Sequence, residues 1–420
     1  MEHESHGLSD PGRARKENED AILLARDLGL YVVCDGCGGQ RAGAVASRMA
    51  CKAIHEALGS QQAVLRSYAA RPGPTKRKKV IELIVAAVNA ASQQVNAAAR
   101  SDADKAGMGT TVALAAVLGG RAVTAHAGDS RIYLFRGGRA HRLTEDHTLA
   151  GEYRRMGLLS GKQAKGSRLA SMITRAVGRH GSAHVDTLHL ELAGGDALLL
   201  CSDGLTRYVS DAEIAEALRK LPAAKAPDAL VRAANRRGGA DNVSVIVVRM
   251  PAGRTAADED LVRRLRTLQR VPLFRHLSFQ ELLRVMDLVE MESYEPGNRV
   301  VSEGETSDRI FVSVAGTVEV VKNRRTLASL PAGSLFGEMG LIDEAPRSAD
   351  VVARKGARLM VIRRKDFFAL LRRRRTLAVK VLWGLCRVLN ARLRRTSEKL
   401  SAMAVEDKLS ELAAASRPFV

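Results

Sequence analysis

Short apolar runs that stop abruptly at an acid set the pattern of the first half of the chain. Tyr31-Val32-Val33-Cys34 runs into Asp35-Gly36, and Val123-Thr124-Ala125-His126-Ala127 into Gly128-Asp129. Leu198-Leu199-Leu200-Cys201-Ser202 runs into Asp203-Gly204, and Asp241-Asn242 stands directly before Val243-Ser244-Val245-Ile246-Val247-Val248. Such runs, bounded by glycine or acids, read as buried strands that each deliver a carboxylate to a tight turn. Strands are predicted at 111–118, 122–127 and 132–135, the last closed by a hairpin at Gly137-Gly138. Two stretches have helical spacing: 41–58, through Val45, Met49, Ile54 and Leu58, and 80–99, through Ile81, Ile84, Val85, Val88 and Val95. Between them, 69–79 holds Pro72, Pro74 and a basic cluster and reads as a loop. Strands interleaved with long helices imply sheet and helix layers.

The pattern breaks at 251–257, where Pro251, Gly253 and small residues mark a boundary. A connector helix is predicted at 258–270, with acids in its first turn, Arg270 in its last, and Leu261, Leu265 and Leu268 on one face. Beyond it come short strands at 299–301, 309–314, 317–321, 326–330, 348–352 and 358–362, with Gly297, Gly304, Gly316 and Gly333 at the turns. That spacing suggests a small antiparallel barrel or jelly roll. A helical run at 376–393 and one more short helix at 405–414 close the sequence.

A length of 420 residues with 46% hydrophobic positions supports two or three packed domains. A net charge of +20 would attract nucleic acid or anionic lipid, but 4% aromatics and a single Trp leave no stacking platform, so a solubilising Arg-rich surface is the reading preferred. No charged-then-apolar signal segment opens the chain, and no apolar run approaches the roughly 20 residues that cross a bilayer. A cytoplasmic location with no membrane span is expected. Five scattered cysteines fit reduced, packed thiols. Cys34 and Cys37 bracket Asp35; a disulfide between them would distort the turn, while two inert thiols are the simpler reading.

The acids carry the chemistry. One Asp-Gly alone is a turn. Asp35, Asp129, Asp203, Asp241 and the pair Glu19-Asp20, recurring at strand ends, suit Mg²⁺ or Mn²⁺, and on one sheet edge they could hold two ions close together.

In sequence, Ser9-Asp10-Pro11-Gly12-Arg13-Ala14-Arg15-Lys16-Glu17-Asn18-Glu19-Asp20, Asp35-Gly36-Cys37-Gly38-Gly39, Gly109-Thr110-Thr111, Gly128-Asp129-Ser130-Arg131, Leu143-Thr144-Glu145-Asp146-His147, Ile173-Thr174-Arg175-Ala176-Val177-Gly178, Ser202-Asp203-Gly204-Leu205-Thr206 and Asp241-Asn242 follow in one order. In that order they resemble the metal-dependent protein Ser/Thr phosphatases of type 2C, bacterial branch, over positions 7–249. The resemblance implies an α+β fold, a four-layer αββα sandwich with a binuclear Mg²⁺/Mn²⁺ centre between its sheets, acting on phosphorylated Ser/Thr proteins. It implies that Asp35 bridges both ions, that the Gly36 carbonyl completes one shell, that Asp203 and Asp241 hold the other ion, and that Glu19 and Asp20 act largely through water. Arg15 would hold the phosphoryl oxygens during attack by activated water. Cys37 stands where relatives have His or Met. Arg207 stands where some members place an acid for a third ion, leaving Asp129 and Asp203 for that ion here. The segment 151–166 matches the flap linked to substrate choice.

Phe336-Gly337-Glu338-Met339-Gly340-Leu341-Ile342 and Pro346-Arg347-Ser348-Ala349 suit a cyclic phosphodiester, with backbone N–H groups and Arg347 for phosphate and Glu338 for a ribose hydroxyl. Residues 271–395 resemble the cyclic nucleotide-binding domains of the catabolite activator and protein kinase A regulatory-subunit family, with flanking helices. The resemblance implies a site of Gly337, Glu338, Arg347, Ser348 and Ala349 for cAMP or cGMP, cAMP favoured, as a regulatory ligand. Trp383 is expected in a packed core, with capping of the base as its other role. With only 396–420 left, a helix-turn-helix and specific nucleic-acid recognition are not expected. The domains are therefore read as 1–250, a linker at 251–270, 271–395, and a tail at 396–420. The reading is a phosphoprotein phosphatase coupled to a cyclic nucleotide; its alternative is a catalytically decayed phosphatase fold kept as a nucleotide receptor.

Overall fold

The computed structural model describes residues 3–38, 42–160, 163, 167–306, 308–341 and 345–415, except the side chains of 399 and 402–415. The chain divides into two compact units, Met1–Val262 and Arg263–Val420.

The first unit runs β1 (Glu4–Asp10), β2 (Asp20–Ala25), β3 (Leu30–Cys37), α1 (Ala42–Gly59), α2 (Gln62–Ala70), α3 (Pro74–Ser101), β4 (Gly109–Thr110), β5 (Val112–Leu118), β6 (Arg121–Ala127), β7 (Arg131–Arg136) and β8 (Arg139–Arg142). It continues through α4 (Leu149–Arg155), β9 (Asp186–Glu191), β10 (Ala197–Cys201), α5 (Asp203–Thr206), α6 (Asp211–Lys220), α7 (Ala226–Arg236) and β11 (Val243–Arg249). One antiparallel sheet has the order β1-β11-β10-β7-β8; the other has β2-β3-β5-β6-β9, with β4 paired to β3.

Strand alternation sorts the residues of β3 into two cores. Leu30, Val32 and Cys34 pack with Ile54, Ile84 and Val88 of α1 and α3. Tyr31 and Val33 are buried on the opposite face, as are Leu198, Leu200 and Ile246 of β10 and β11, where the sheets meet. The outer face of the first sheet, with Tyr133, Leu199 and Val245, packs under Ile214, Leu218 and Leu230 of α6 and α7. The result is the expected αββα sandwich.

The expected loop at 69–79 is mostly helix. Only Arg71, Pro72 and Gly73 separate α2 from α3, and Pro74 starts α3 at the position where its fixed φ and missing N–H cost least. The basic cluster, Lys76 to Lys79, lies in the first two turns of α3.

The helix α8 (Ala256–Arg270) follows, and the division between the units falls within it. The second unit contains α9 (Phe279–Met286), β12 (Val289–Tyr294), β13 (Arg299–Val301), β14 (Arg309–Lys322), β15 (Arg325–Pro331), β16 (Leu335–Phe336), β17 (Asp350–Arg363), α10 (Arg364–Arg373) and α11 (Arg375–Ala415). The strands form one antiparallel sheet, order β12-β17-β14-β15, with β13 on β17 and β16 on β14, consistent with a jelly roll. The segments expected as separate strands at 309–314 and 317–321 are one strand, as are those at 348–352 and 358–362. Gly316 (φ +80°) sits at a bulge, not a turn, and a Cβ there would lie 2.0 Å from the Gly356 carbonyl oxygen. The expected helices at 376–393 and 405–414 are likewise continuous in α11. Trp383 is 61% exposed rather than packed.

Candidate active site at the shared sheet edge

Register brings the acids together. Asp20 and Asp35 are direct cross-strand partners at the start of β2 and near the end of β3. In the facing sheet Cys201, the last residue of β10, pairs with Arg131 at the start of β7 and with Val245 near the start of β11. Asp129, Asp203 and Asp241 therefore leave that sheet at one edge. Like charges directly opposite on neighbouring strands repel.

The electrostatics record the crowding. Burial pushes Asp20 up to about 7, against the pull of hydrogen bonds from Ser244 and Ser202. Asp35 lies well above the usual carboxylate range because of desolvation and the charges of Asp20, Asp203, Asp129 and Asp241. Asp129 is pushed up to about 7, mainly by burial and then by Asp203. Glu19 is raised by burial, which Arg15 opposes.

Asp20 and Asp35 are locally supported. Asp20 Oδ2 accepts from Ser202 Oγ at 2.8 Å and Ser244 Oγ at 2.7 Å. The backbone of Asp35 is fixed by Thr110 and Thr111: its N–H donates to Thr111 Oγ1 at 2.9 Å, and its carbonyl accepts from Thr110 Oγ1 at 2.9 Å. Gly36 is required by space, since a Cβ would lie 2.1 Å from the Gly43 carbonyl oxygen. Asn242 was not singled out as a site residue, yet it ties the segment carrying Arg15 and Glu19 to β11. Its Oδ1 accepts from the Glu19 N–H at 2.9 Å, and its Nδ2 donates to the Pro11 and Glu17 carbonyls, each at 3.0 Å.

Two arginines stand on the acids. Arg207 donates through Nε and Nη2 to Asp203 Oδ2 at 3.0 and 2.5 Å, and its Nη1 lies 3.1 Å from Asp241 Oδ2. Arg15 Nε lies 3.1 Å from Asp241 Oδ1. Among the described residues, no three Asp, Glu, His or Cys side chains are gathered as one ion would need them. The donor chemistry nevertheless suits hard cations: Asp20 Oδ1 and Asp129 Oδ1 are buried without a hydrogen-bond partner, a cost that a cation removes.

Cys34 and Cys37 are free thiols. Cys34 lies in the helix-facing core, while Cys37, three residues on, falls on the other face of β3. The sequence's redox-pair alternative does not fit that arrangement. In the expected flap, α4 is followed by exposed Met156 and Leu158; 161, 162 and 164–166 lie outside the described residues.

The second unit holds a cavity of about 730 Å³, lined by Gly337, Glu338, Arg347, Ser348 and Ala349 together with α11. Gly337 has φ +77°, and a Cβ on it would lie 2.9 Å from Arg347 Nη1. Arg347 donates to the Gly337 carbonyl at 3.1 Å and to the Arg309 carbonyl at 2.6 Å. Glu338 is fully buried, paired through Oε1 with Arg392 of α11, while its Oε2 has no partner. The expected short helix here is a 3-10 turn, Glu338–Leu341; Ile342 lies outside the described residues. Val388 and Ala391 of α11, not Trp383, line the cavity.

An αββα sandwich with acids converging on the edge of both sheets defines a class of metal-dependent phosphatases. The protein phosphatase 2C model matches residues 13–236, and the chain belongs to that family; a cyclic nucleotide-binding domain model matches residues 291–374. The chain is similar to the serine/threonine phosphatase stp of Listeria innocua, 36% identical over 256 residues, which is 59% of this chain and 98% of that protein. It is also similar to the protein phosphatase PhpP of Streptococcus pneumoniae, 33% identical over 247 residues, covering 58% and 96%. Among solved structures, the Mycobacterium tuberculosis phosphatase PstP/Ppp aligns with TM-score 0.52 and 32% identity over 59% of this chain and 99% of that one. The catalytic domain of PstP in complex with two manganese ions aligns with TM-score 0.51 and 32% identity, covering 59% and 97%. The protein is a serine/threonine phosphatase of the 2C type with a C-terminal cyclic nucleotide-binding domain.

Proposed function

We propose that Glu19, Asp20, Asp35, the Gly36 carbonyl, Asp129, Asp203 and Asp241 form a site for two Mg²⁺ or Mn²⁺ ions, with phosphorylated Ser/Thr proteins as substrates. The observation that carries this is the Asp20–Asp35 cross-strand pair with a buried, unpartnered oxygen, an arrangement that a cation relieves. When bound, the ions supply Lewis-acid activation of water and neutralise charge on the phosphoryl group. The chain's residues do the rest. Asp35, its backbone clamped by Thr110 and Thr111, keeps a fixed direction. Ser202 and Ser244 hold Asp20 by one oxygen and leave the other toward the cluster. Arg15, half exposed beside Asp241, can offer a bidentate fork to phosphoryl oxygens.

In the second unit, a cyclic nucleotide, with cAMP favoured over cGMP, is the regulatory ligand. Arg347 would take the cyclic phosphate, beside the Gly337, Ser348 and Ala349 backbone, and Glu338 the ribose hydroxyl. Glu338 is already held by Arg392, so the ribose competes with or joins a contact from α11, which supports a movement of that helix on binding. The domain reading 1–250, 251–270, 271–395 and 396–420 belongs to the same proposal.

The test of the catalytic half is phosphate release from a phosphothreonine peptide with Mn²⁺ and with EDTA. The reading requires turnover with Mn²⁺, none with EDTA, and loss in Asp203→Ala. Absence of turnover in folded, Mn²⁺-saturated protein would leave the receptor alternative.

A further inference from the structure

Arg207 is a cation that the chain itself supplies to the acidic edge. It follows directly from the four-residue helix α5, as its C-cap residue, so Asp203 at the first position of that helix and Arg207 four residues on face each other. Its guanidinium donates twice to Asp203 Oδ2 and reaches Asp241 Oδ2 at 3.1 Å, so it spans the first residue of α5, just past β10, and the lead-in to β11. Asp203 and Asp241 are mostly buried, 17% and 18% exposed, whereas Arg207 is 44% exposed. An exposed, long side chain resting on two buried carboxylates is a displaceable partner.

From this geometry we infer that Arg207 is an intramolecular competitor of the divalent ion at Asp203 and Asp241: it stabilises the metal-free site and weakens metal binding, so that loading requires the guanidinium to leave. The inference rests on the two-ion reading above. Its physical basis is that both cations seek the same oxygens, and Asp203 Oδ2 cannot serve two guanidinium hydrogens and an ion together. The competitor is fixed at high effective concentration by the chain, so its effect does not dilute away. An ordinary surface ion pair would instead have little effect on metal binding.

The test uses the full chain, stripped with EDTA, with Arg207→Ala, Arg207→Gln and Arg207→Lys. Mn²⁺ binding is measured by calorimetry, and melting by circular dichroism with EDTA and with saturating Mn²⁺. Removal of the charge in Ala and Gln is expected to tighten Mn²⁺ binding at Asp203 and Asp241 by about fivefold, an effect at the upper end of that measured for exposed pairs. The same variants should melt lower than wild type with EDTA and gain more on Mn²⁺ addition, while Lys should stay near wild type. Unchanged or weaker Mn²⁺ affinity in folded Ala and Gln variants, with wild type binding two ions, overturns the competition and leaves the two-ion reading standing. No Mn²⁺ binding by any of the proteins overturns both.

Discussion

At the scale of single residues, the site is a collection of buried carboxylates kept near one another at a cost to stability. Asp20 is the clearest case, opposite Asp35, buried, and with one oxygen unpartnered. Replacing it by Asn removes a like-charge contact. Asp20→Asn is expected to stabilise the metal-free protein by about 1 kcal/mol, read as a melting temperature about 2–4 °C higher in EDTA, and to reduce the stabilisation Mn²⁺ gives. A lower melting temperature in EDTA would contradict this. His126 makes the pH dependence of the same unit legible. Burial, then His147 and Arg142, hold it down to about 3 against the pull of Asp146 and Asp186. An unfolded His titrates near 6.5, so between about 3 and 6.5 the unfolded chain binds a proton that the folded one refuses. Stability from this group is therefore complete above about 6.5 and declines as pH falls. Between pH 7 and 5, wild type should lose about 2 kcal/mol more than His126→Gln in urea unfolding; parallel losses would rule out His126 as the source.

At the scale of elements, the acids were legible because a strand that ends at Asp-Gly announces itself by composition. Their convergence was not, since it depends on register: Asp20 faces Asp35 and Arg131 faces Cys201 only once the strands pair. Arg207 could be read from the sequence as a departure from the family, but its grip on both Asp203 and Asp241 needed the turn between β10 and α5. Asn242 was hidden for the same reason, its partners lying about 225 residues away. Gly316 misled because a glycine in a bulge and a glycine in a turn look alike in sequence, and Trp383 because its helix leaves that face uncovered. Asn242 is a positioning residue for the whole segment 11–19. Asn242→Ala is expected to cost about 2–3 kcal/mol, from three lost hydrogen bonds partly replaced by water. Turnover should fall more than tenfold, since displacement of Arg15 and Glu19 by about 1 Å misaligns the site. Asn242→Asp, which keeps the acceptor for the Glu19 N–H, should recover part of that activity; equal activity in Ala and wild type would show that the segment is held otherwise.

At the scale of the whole molecule, the chain carries a 2C-type phosphatase domain and a cyclic nucleotide-binding domain, the latter with a cavity lined by Arg347 and Glu338. No helix among the described residues is long and apolar enough to cross a membrane. Coupling between two such sites is typically about 1–3 kcal/mol, enough to change turnover severalfold. The most direct measurement is Mn²⁺-dependent phosphate release from a phosphothreonine peptide by the full chain, titrated with cAMP and with cGMP, for wild type and for Arg347→Ala. Coupling predicts a severalfold change in wild-type turnover, at lower concentration for cAMP than for cGMP, and no response in Arg347→Ala. Robust turnover indifferent to saturating concentrations of both nucleotides would contradict it.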